Sequence, residues 1–416
     1  MKILASSINF YPDHSGIALY STDMPVYLAE HGHKVTMVTG FPYYPNWRKR
    51  PQDRGKLFET EEYMGVRVLR GYLYVPRTVS TFNRILHELS FVFFAFFNFF
   101  RAGRQECIVV ISPPLLLGLV GIVFKYLWRA QLVVHLQDLQ PDAALSLNMM
   151  KLSPLIRLLK RLESRIYRHA SWIVPITDSM KENLRQKGVP EEKQSVHYNW
   201  IDVTAVSKLN DHLQRGKFLG EHPNAQGKFT VVYAGNIGVK QGLEVLVQLA
   251  QASQIYKDIH YFIIGEGAMH SQLEKSAKDK GLNNITFLPF MSQERYFEML
   301  KDIDVSFVSQ RPASGDVFFP SKLLGIMAVG KPLLISADPE SALSTVVSNA
   351  GCGLVSAPDT PDLLLRNLLS LYKDPTLCQT LGQNGRQHVK AYDRERVLSS
   401  FMRRILEGNE CVRACN

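Results

Sequence analysis

Residues 2–38 read KILASSINFYPDHSGIALYSTDMPVYLAEHGHKVTMV, and this stretch decides the fold class. An apolar strand over 2–8 is followed by a polar turn at 12–16, a helical pattern over 17–31 and a second apolar strand over 35–38. Parallel neighbouring strands need a crossover connection, which is usually a helix. The stretch therefore predicts a β-loop-α-β unit within a parallel sheet.

The alternation of strand and helix continues along the chain. At 416 residues the chain is too long for one ordinary core. A polar segment, 202–228, separates two such runs, so we predict an α/β fold with two doubly wound units over 1–201 and 202–393. Ligands bind beyond the carboxyl ends of parallel strands, which places the expected site in a cleft between the units. The other predicted strands are 108–111, 132–136, 172–176, 229–233, 259–264, 285–288, 305–308 and 332–335.

The composition is that of a globular protein with excess positive charge. Apolar residues make up 46% and charged residues 21%, which excludes disordered, collagen-like and coiled-coil chains. Lys and Arg total 48 against 38 Asp and Glu, giving a net charge of +10 and a pI near 9.2. This excess favours an anionic partner: a nucleic acid, an acidic membrane surface or a phosphorylated ligand.

Cysteine usage and the N-terminus indicate the cytoplasm. The five cysteines are odd in number and include no C-x-x-C pair, so we expect neither a disulfide framework nor a zinc site. The chain starts MKIL without the basic and apolar regions of a signal peptide, and we expect the mature protein to begin at residue 1.

Three segments suggest contact with a membrane. The phenylalanine-rich run 91–100 is short of the roughly 20 residues that a spanning helix needs, so we expect it to lie in or beside a bilayer. A second apolar run covers 115–127, and for both runs the alternative is a buried core helix. The helix predicted over 151–168 carries six basic residues against one acidic residue, Glu163, and suits an anionic lipid surface. Its alternative is a domain helix with a solvated basic face.

Four short segments have the residues of a phosphate site. Each lies after a strand or at a helix start, where free backbone N–H groups and the helix dipole attract anions. None fits G-x-G-x-x-G or G-x-x-x-x-G-K-[ST], which excludes a nicotinamide fingerprint and P-loop hydrolysis. The alternative is that these glycines only serve turns. The candidates are Ser15 and Gly16, then Asn236, Gly238, Lys240 and Gln241, then Gly265 and Glu266, and finally Ser321 and Lys322.

A polar segment at a strand end has the residues for binding a sugar. His135 lies in the strand 132–136, and Asp138 and Asp142 follow it. Imidazole and carboxylate groups hydrogen-bond sugar hydroxyls and move protons. We expect this function for His135, whereas Asp138 has a structural alternative and Asp142 could instead cap the next helix.

Taken together and in order, these segments resemble the retaining GT-B glycosyltransferases of family 4. The similarity covers nearly the whole chain and is greatest to members that build exopolysaccharides. The resemblance implies two Rossmann-like domains, with a C-terminal helix over 394–416 that completes the first one. The segments that carry it are 8–16, 41–45, 135–138, 198–200, 235–242, the Gly-Glu-Gly turn at 265–267 and Pro320-Ser321-Lys322 running into IMAVGKP at 326–332.

The resemblance also implies a reaction. The C-terminal domain would hold a nucleotide-sugar donor, such as GDP-fucose or another NDP-hexose, and the N-terminal domain would meet a lipid-linked or saccharide acceptor. Transfer would proceed with retention and without a metal or cofactor. By position, Gly16 and its loop would face the donor phosphates, His135 the donor sugar, and Lys240 and Lys322 the diphosphate. The positive charge then fits the inner face of the plasma membrane and a phosphorylated donor, and no longer a nucleic acid.

The chain departs from the family pattern in two places. Asn236 and Gln241 stand where many members carry Arg and Lys, with Lys240 one residue earlier. Val317 and Gly325 stand where many carry a Glu-x7-Glu pair whose second carboxylate holds the ribose. Two alternative functions therefore stay open: a non-catalytic nucleotide-sugar or polysaccharide-binding partner of an assembly complex, and a sugar-nucleotide epimerase of the same architecture.

Overall fold

The structure is a computed structural model that describes residues 1–13, 16–44, 47–78, 80–140, 142, 154–311 and 322–414. Internal contacts divide the chain into two compact units. Unit 1 contains residues 1–199 together with the segment from Glu395 onward, and unit 2 contains Trp200–Arg394. Each unit has a mainly parallel sheet covered by helices, which confirms the predicted α/β class.

Unit 1 is built on a sheet with the strand order β3-β4-β2-β1-β5-β6-β7. Neighbouring strands are parallel except β3 and β4, which form an antiparallel pair at one edge. The strands are β1 Lys2–Ser6, β2 Lys34–Gly40, β3 Phe58–Tyr63, β4 Val66–Gly71, β5 Cys107–Ser112, β6 Gln131–Leu136 and β7 Trp172–Pro175. The helices are α1 Ile17–Glu30, α2 Thr81–Ala102, α3 Leu117–Trp128, α4 Pro154–His169 and α5 Asp178–Gln186.

Unit 2 is built on a fully parallel sheet with the order β10-β9-β8-β11-β12-β13. The strands are β8 Phe229–Ala234, β9 Ile259–Ile264, β10 Ile285–Leu288, β11 Val305–Ser309, β12 Leu333–Ser336 and β13 Gly353–Ser356. The helices are α6 Val203–His212, α7 Lys217–Gly220, α8 Glu244–Ala252, α9 His270–Asp279, α10 Gln293–Asp302, α11 Lys322–Val329, α12 Ala342–Ala350, α13 Pro361–Lys373 and α14 Pro375–His388.

The last helix, α15 (Arg394–Ala414), packs on unit 1. The ring of Phe401 lies 5.2 Å from that of Trp172 in β7 and 6.1 Å from that of His135 in β6. Tyr27 in α1 also donates a hydrogen bond of 2.9 Å to the Glu395 carboxylate. Residues from the end of the chain therefore cover part of the sheet built by its beginning.

Sequence composition explains why β5 and β6 were predicted and β3 was not. Every residue of β5 and β6 is buried, as expected for continuous apolar strands in the middle of a parallel sheet covered on both faces. By contrast, β3 has the sequence FETEEY and alternates exposed and half-buried residues at the sheet edge. This polar edge strand lacks the apolar signal on which the prediction depended, and it was missed.

Helix α2 is longer than the phenylalanine run that it contains. It begins after Ser80, whose hydroxyl accepts from Asn83 N–H over 3.2 Å, and ends at Gly103 with φ of 72°. Its 22 residues give it the length and composition to cross a membrane, so the expectation that the segment is too short was wrong. One side of α2 packs on the sheet of unit 1 through Phe91, Ala95 and Phe99.

Candidate active site

Two loops at the carboxyl edge of the unit 2 sheet are joined backbone to backbone. The loop 235–242 follows β8, and the turn 265–267 follows the neighbouring parallel strand β9. Ile237 N–H donates to the carbonyl of Glu266 over 2.8 Å, and Met269 N–H donates to the carbonyl of Ile237 over 3.0 Å. The two predicted phosphate segments therefore form one structural element.

Glycine is required where these loops touch. Gly265 has φ of 137°, and a Cβ at this position would overlap the carbonyl oxygen of Gly235. Gly267 has φ of 155°, and its Cβ would overlap the carbonyl of Ile237. A side chain at either position would force the loops apart. These two glycines build the shape of the element.

Lys322 opens α11 and places its ammonium group beside the glycine loop. Its Nζ is buried, 3.5 Å from the centroid of the Tyr233 ring and 3.5 Å from where a Cβ on Gly235 would lie. Among the described residues Nζ has no hydrogen-bond partner. Burial lowers the pKa of the ammonium to about 7, because the charged form loses its hydration. A bound anion would offset this loss.

Two more buried polar groups lie at the same sheet edge, and the sequence reasoning missed both. Tyr296 is in the first turn of α10, and its ring edge and hydroxyl lie 3.7 and 3.9 Å from where a Cβ on Gly325 would be. Gln310 directly follows β11 and is 2% exposed. Within the described ranges, the Tyr296 hydroxyl and both amide atoms of Gln310 are without hydrogen-bond partners.

Helix geometry relates Tyr296 to Lys322. Gly325 is three residues after Lys322 on α11, so the two positions share one face of the helix. Glycine inside a helix costs about 1 kcal/mol of helix stability relative to alanine. Gly325 is therefore a sequence signal that another side chain packs closely against this position of α11. Tyr296 is that neighbour. Because only packing of α10 on α11 brings them together, the sequence could not identify the pair.

The polar side chains of the glycine loop partly support the loop itself. Gln241 Oε1 accepts from Gly238 N–H over 3.1 Å, and the Tyr233 hydroxyl donates to the Asn236 carbonyl over 2.6 Å. Asn236 is exposed and Lys240 is half-buried. Binding of a ligand by Asn236, Lys240 and Gln241 therefore stays a prediction, and the structure adds a supporting contact for Gln241.

The carboxyl edge of the unit 2 sheet combines a positively charged group with neutral hydrogen-bonding groups. The glycine loops suit the close approach of a phosphate, and Lys322 supplies a positive charge beside them. The Tyr296 hydroxyl and the Gln310 amide are neutral groups that pair with hydroxyl or base atoms. The arrangement suits a phosphate that is linked to a polyhydroxylated group.

The predicted phosphate residues of unit 1 are only partly described. Gly16 has φ of 61° and directly precedes α1, and no atom of the described residues lies within 4 Å of where a Cβ would be. Its position at a helix N-terminus is the predicted one. Ser15, like Ser321 of the other unit, lies outside the described residues.

His135 is enclosed within unit 1. It is 1% exposed, and its neighbours include Phe401 of α15 and His197. Burial lowers the pKa of its imidazole to about 3, so the ring is neutral at physiological pH. Neither ring nitrogen has a hydrogen-bond partner in the described part of the chain. Its contact with a donor sugar stays a prediction.

Asp142 already has a cationic partner. Its carboxylate lies 2.5 Å from Lys187 Nζ, which also lies 2.8 Å from the buried Glu163 carboxylate. This network stabilises unit 1, and it also shows that Glu163 does not belong to the solvated face of α4. Asp138 is half-buried after β6. Sugar contacts of Asp138 and Asp142 stay predictions.

In the described ranges, no group of three or more His, Cys, Asp or Glu side chains is placed to hold a metal ion. Independence of metal and cofactor stays an expectation.

Comparison with known families matches both halves of the chain. Residues 15–200 match the family described as glycosyl transferase 4-like domain, and residues 214–388 match glycosyl transferases group 1. The matched segments contain the Gly16 loop and the glycine element with Lys322, respectively.

Individual relatives agree with these matches. The chain is 30% identical over 414 residues to the putative colanic acid biosynthesis glycosyl transferase WcaI of Escherichia coli K12, covering 97% of this chain and all of the relative. It resembles sucrose-phosphate synthase from Thermosynechococcus elongatus with a TM-score of 0.75, 18% identity and 98% coverage of both chains. It also resembles Anabaena HepE in complex with UDP, with a TM-score of 0.69, 15% identity and 98% and 100% coverage.

Both domain matches, the full-length relative and the shared architecture lead to one assignment. The chain belongs to the GT-B glycosyltransferases, with a glycosyl transferase 4-like first domain and a group 1 second domain.

Proposed function

We propose that the protein transfers a sugar from a nucleoside diphosphate sugar to a lipid-linked or saccharide acceptor, with retention, in exopolysaccharide biosynthesis. The observation that carries the donor assignment is the buried Lys322 ammonium beside the glycine element. The full-length similarity to WcaI, a putative colanic acid biosynthesis enzyme, supports the pathway class. GDP-fucose or another NDP-hexose is the proposed donor.

The chemistry assigned to the site is electrostatic. As the bond from the anomeric carbon to the diphosphate oxygen breaks, negative charge grows on the departing diphosphate. Lys322, Lys240 and the N-terminus of the helix that follows the glycine loop stabilise that charge. The acceptor oxygen bonds to the same face of the anomeric carbon, and its proton passes to a phosphate oxygen. His135 orients the sugar, and no protein nucleophile or metal takes part.

A donor panel tests this function. Wild-type protein is screened by thermal shift with GDP- and UDP-sugars, with and without EDTA, and then assayed for turnover with membrane lipid extract. A donor present at 100 times its Kd should stabilise the folded protein by about 2.7 kcal/mol. NMR of the product's anomeric proton tests retention. An inverted product or a requirement for metal would contradict those parts of the proposal.

The panel also separates the alternatives. Release of nucleoside diphosphate only when lipid extract is present supports transfer. Binding without any turnover favours a non-catalytic partner of an assembly complex, and conversion of a donor to its epimer without extract favours the epimerase. The departures at Asn236 and Gly325 are the observations that keep these alternatives in the test.

Tyr296 is proposed to bond the nucleotide ribose, because its hydroxyl, which has no partner among the described residues, lies at Gly325, one helical turn from Lys322. Tyr296→Phe keeps the ring on Gly325 and removes only the hydroxyl. We expect its Kd for the nucleoside diphosphate to rise about tenfold, as for loss of one hydrogen bond. Inorganic pyrophosphate should bind as it does to wild type. The control is Tyr261→Phe, whose hydroxyl lies 2.6 Å from Ser253; equal affinities in all three proteins would contradict the assignment.

Unit 1 carries the surface for the proposed membrane contact. We define the apolar face as the exposed large side chains of α2 and α3. These helices pack through contacts such as Phe100 with Phe124, whose ring centroids are 4.7 Å apart. On the other side of α3, Lys125 Nζ donates to the His169 carbonyl of α4 over 2.7 Å. The apolar face comprises Phe82, Ile85, Leu86, Leu89, Phe93, Phe97, Phe100, Val123, Tyr126 and Leu127.

The basic side chains of α4 extend this surface with positive charge. The exposed residues are Arg157, Lys160, Arg161, Arg165 and Arg168. An exposed apolar patch beside basic residues is typical of proteins that lie in the interface of an anionic bilayer. We therefore place the protein on the cytoplasmic face of the plasma membrane, with α2 and α3 in the interface.

Vesicle sedimentation tests the membrane surface. Wild type should bind vesicles containing phosphatidylglycerol more tightly than vesicles of phosphatidylcholine alone. Phe93→Ser with Phe97→Ser should weaken binding to both, and Arg161→Glu with Arg165→Glu should weaken anionic binding at least about tenfold at low salt. Lys275→Glu with Lys278→Glu makes the same charge change on α9 of unit 2 and should have little effect. Equal losses in both charge variants would mean that net charge, and not this surface, causes binding.

A further inference from the structure

A buried carboxyl group lies at the carboxyl edge of the other sheet, in unit 1. Asp13 follows β1 and is 6% exposed. Its oxygens accept from Asn9 Nδ2 over 2.9 Å and from Tyr44 N–H over 3.3 Å. No ion pair of Asp13 occurs within the described residues, and burial raises its pKa to about 6. Arg70 attracts this carboxyl group electrostatically, but the loss of hydration outweighs that attraction. A buried carboxyl group with a pKa perturbed in this way is a candidate for ligand binding.

His87 supplies a second buried hydrogen-bond acceptor in unit 1. It is 2% exposed, and its Nδ1 lies 2.5 Å from the Tyr74 carbonyl oxygen. A carbonyl only accepts, so Nδ1 carries the proton and Nε2 is the bare acceptor. Burial lowers the pKa of the ring to about 4, which keeps this neutral tautomer. Nε2 has no partner in the part of the chain that the structure describes, and a hydroxyl group is a donor that fits it.

Aromatic rings connect the two acceptors. The ring of Tyr43, in the loop after β2, lies 4.5 Å from that of His87, and its hydroxyl is bonded by Asn9, which also holds Asp13. Trp47 is half-buried, with its ring 5.3 Å from Tyr43 and 5.2 Å from His87. Its φ of 50° is unusual for a bulky residue, and such backbone strain clusters at functional sites.

A buried arginine fixes the two loops that carry these groups. Arg70 in β4 is 1% exposed and donates to the Tyr11 carbonyl over 2.5 Å and to the Gly40 carbonyl over 3.0 Å. These carbonyls belong to the loop before Asp13 and to the end of β2. The positions of Asp13 and Tyr43 are therefore set by a rigid connection.

We propose that Asp13, His87 and Trp47 form a saccharide subsite that binds the sugar end of the acceptor. The two acceptors take hydrogen bonds from sugar hydroxyls, and the indole ring packs on the apolar face of the sugar. Few polar groups converging among aromatic rings are typical of such sites. The inference rests on the proposed function and assigns the acceptor to residues that the sequence did not single out for it.

The test compares acceptor and donor kinetics in matched variants. Asp13→Asn removes the carboxylate, and His87→Asn keeps a donor at the place of Nδ1 while deleting Nε2. With lipid extract as acceptor, each should raise the acceptor KM at least tenfold and leave the donor KM and the Kd for the nucleoside diphosphate within twofold. The control is Asp53→Asn, another buried carboxyl of unit 1, which pairs with Arg50 at 2.6 Å. It should leave both KM values unchanged.

A second measurement does not need turnover. Oligosaccharides released from the same extract by mild acid should change the fluorescence of wild type and not that of Trp47→Phe, which removes the indole. Unchanged acceptor KM in both Asn variants, an equal rise in donor KM, or no Trp47-dependent signal would each overturn the subsite. Failure of the proposed function differs from all of these, because wild type would then bind no donor in the panel.

Discussion

Lys322→Met is expected to lower turnover by about two to three orders of magnitude, the usual loss when one group that stabilises transition-state charge is removed. The folded protein should be at least as stable as wild type. The buried ammonium has no hydrogen-bond partner among the described residues, and methionine fills a similar volume without a charge. Steady-state kinetics and thermal unfolding measure the two effects.

The stability change of Lys322→Met should depend on pH. An unfolded lysine stays charged up to a pKa near 10.4, whereas the pKa of folded Lys322 is about 7. The folded state therefore binds fewer protons between these values, and the stability contribution of Lys322 rises with pH across this range. The stability that Lys322→Met gains over wild type should be greatest below pH 7.

The activity of wild type should also depend on pH. Its kcat/KM for the donor should fall above pH 7, because Lys322 loses its proton in the enzyme that has not yet bound donor.

Lys331→Met is the matched control. Lys331 is also a buried lysine of unit 2, but its Nζ donates to the carbonyls of Lys301 and Ile303 over 3.0 and 2.6 Å. Its replacement should destabilise the protein by about 1–3 kcal/mol, because two carbonyls lose their donor. Turnover per folded molecule should stay near that of wild type. A Lys322→Met enzyme with turnover within threefold of wild type would contradict the role of Lys322.

Gly265→Ala is expected to abolish binding of the nucleoside diphosphate. The new Cβ would overlap the carbonyl of Gly235, and φ of 137° is a conformation that alanine rarely adopts. Both effects separate the turn 265–267 from the loop 235–242, which removes the shape of the glycine element. We expect a loss of stability above about 3 kcal/mol, measured by thermal unfolding, and no nucleotide binding in calorimetry.

Gly281→Ala separates backbone strain from the overlap. Gly281 has φ of 63°, and no atom of the described residues lies within 4 Å of where its Cβ would be. Its replacement should cost about 1–2 kcal/mol and leave nucleotide affinity unchanged. If Gly265→Ala behaved the same way, the close approach of the two loops would not matter for binding.

Sequence patterns predicted the fold because the relevant information is local. Strands such as 259–264 and 285–288 were predicted with the bounds that the structure has, since short apolar runs of this length are typical of strands in a covered parallel sheet. Strand β3 was missed because its residues are mostly polar and its pairing depends on β4. Helix α2 was judged too short because only its phenylalanine run was counted, and not the polar first turns from Thr81.

The residues of the candidate site also divide into those that the sequence identified and those that only the structure identified. By itself, the sequence determined the α/β class, the glycine loops after β8 and β9 and the lysine that opens α11, because each depends on residues close together in the chain. Only the tertiary structure decided which polar groups have no partner among the residues that it describes. Lys322, Tyr296, Gln310 and His87 became candidates for binding because packing of distant segments buries them, and burial makes an unpaired polar group costly enough to indicate a ligand.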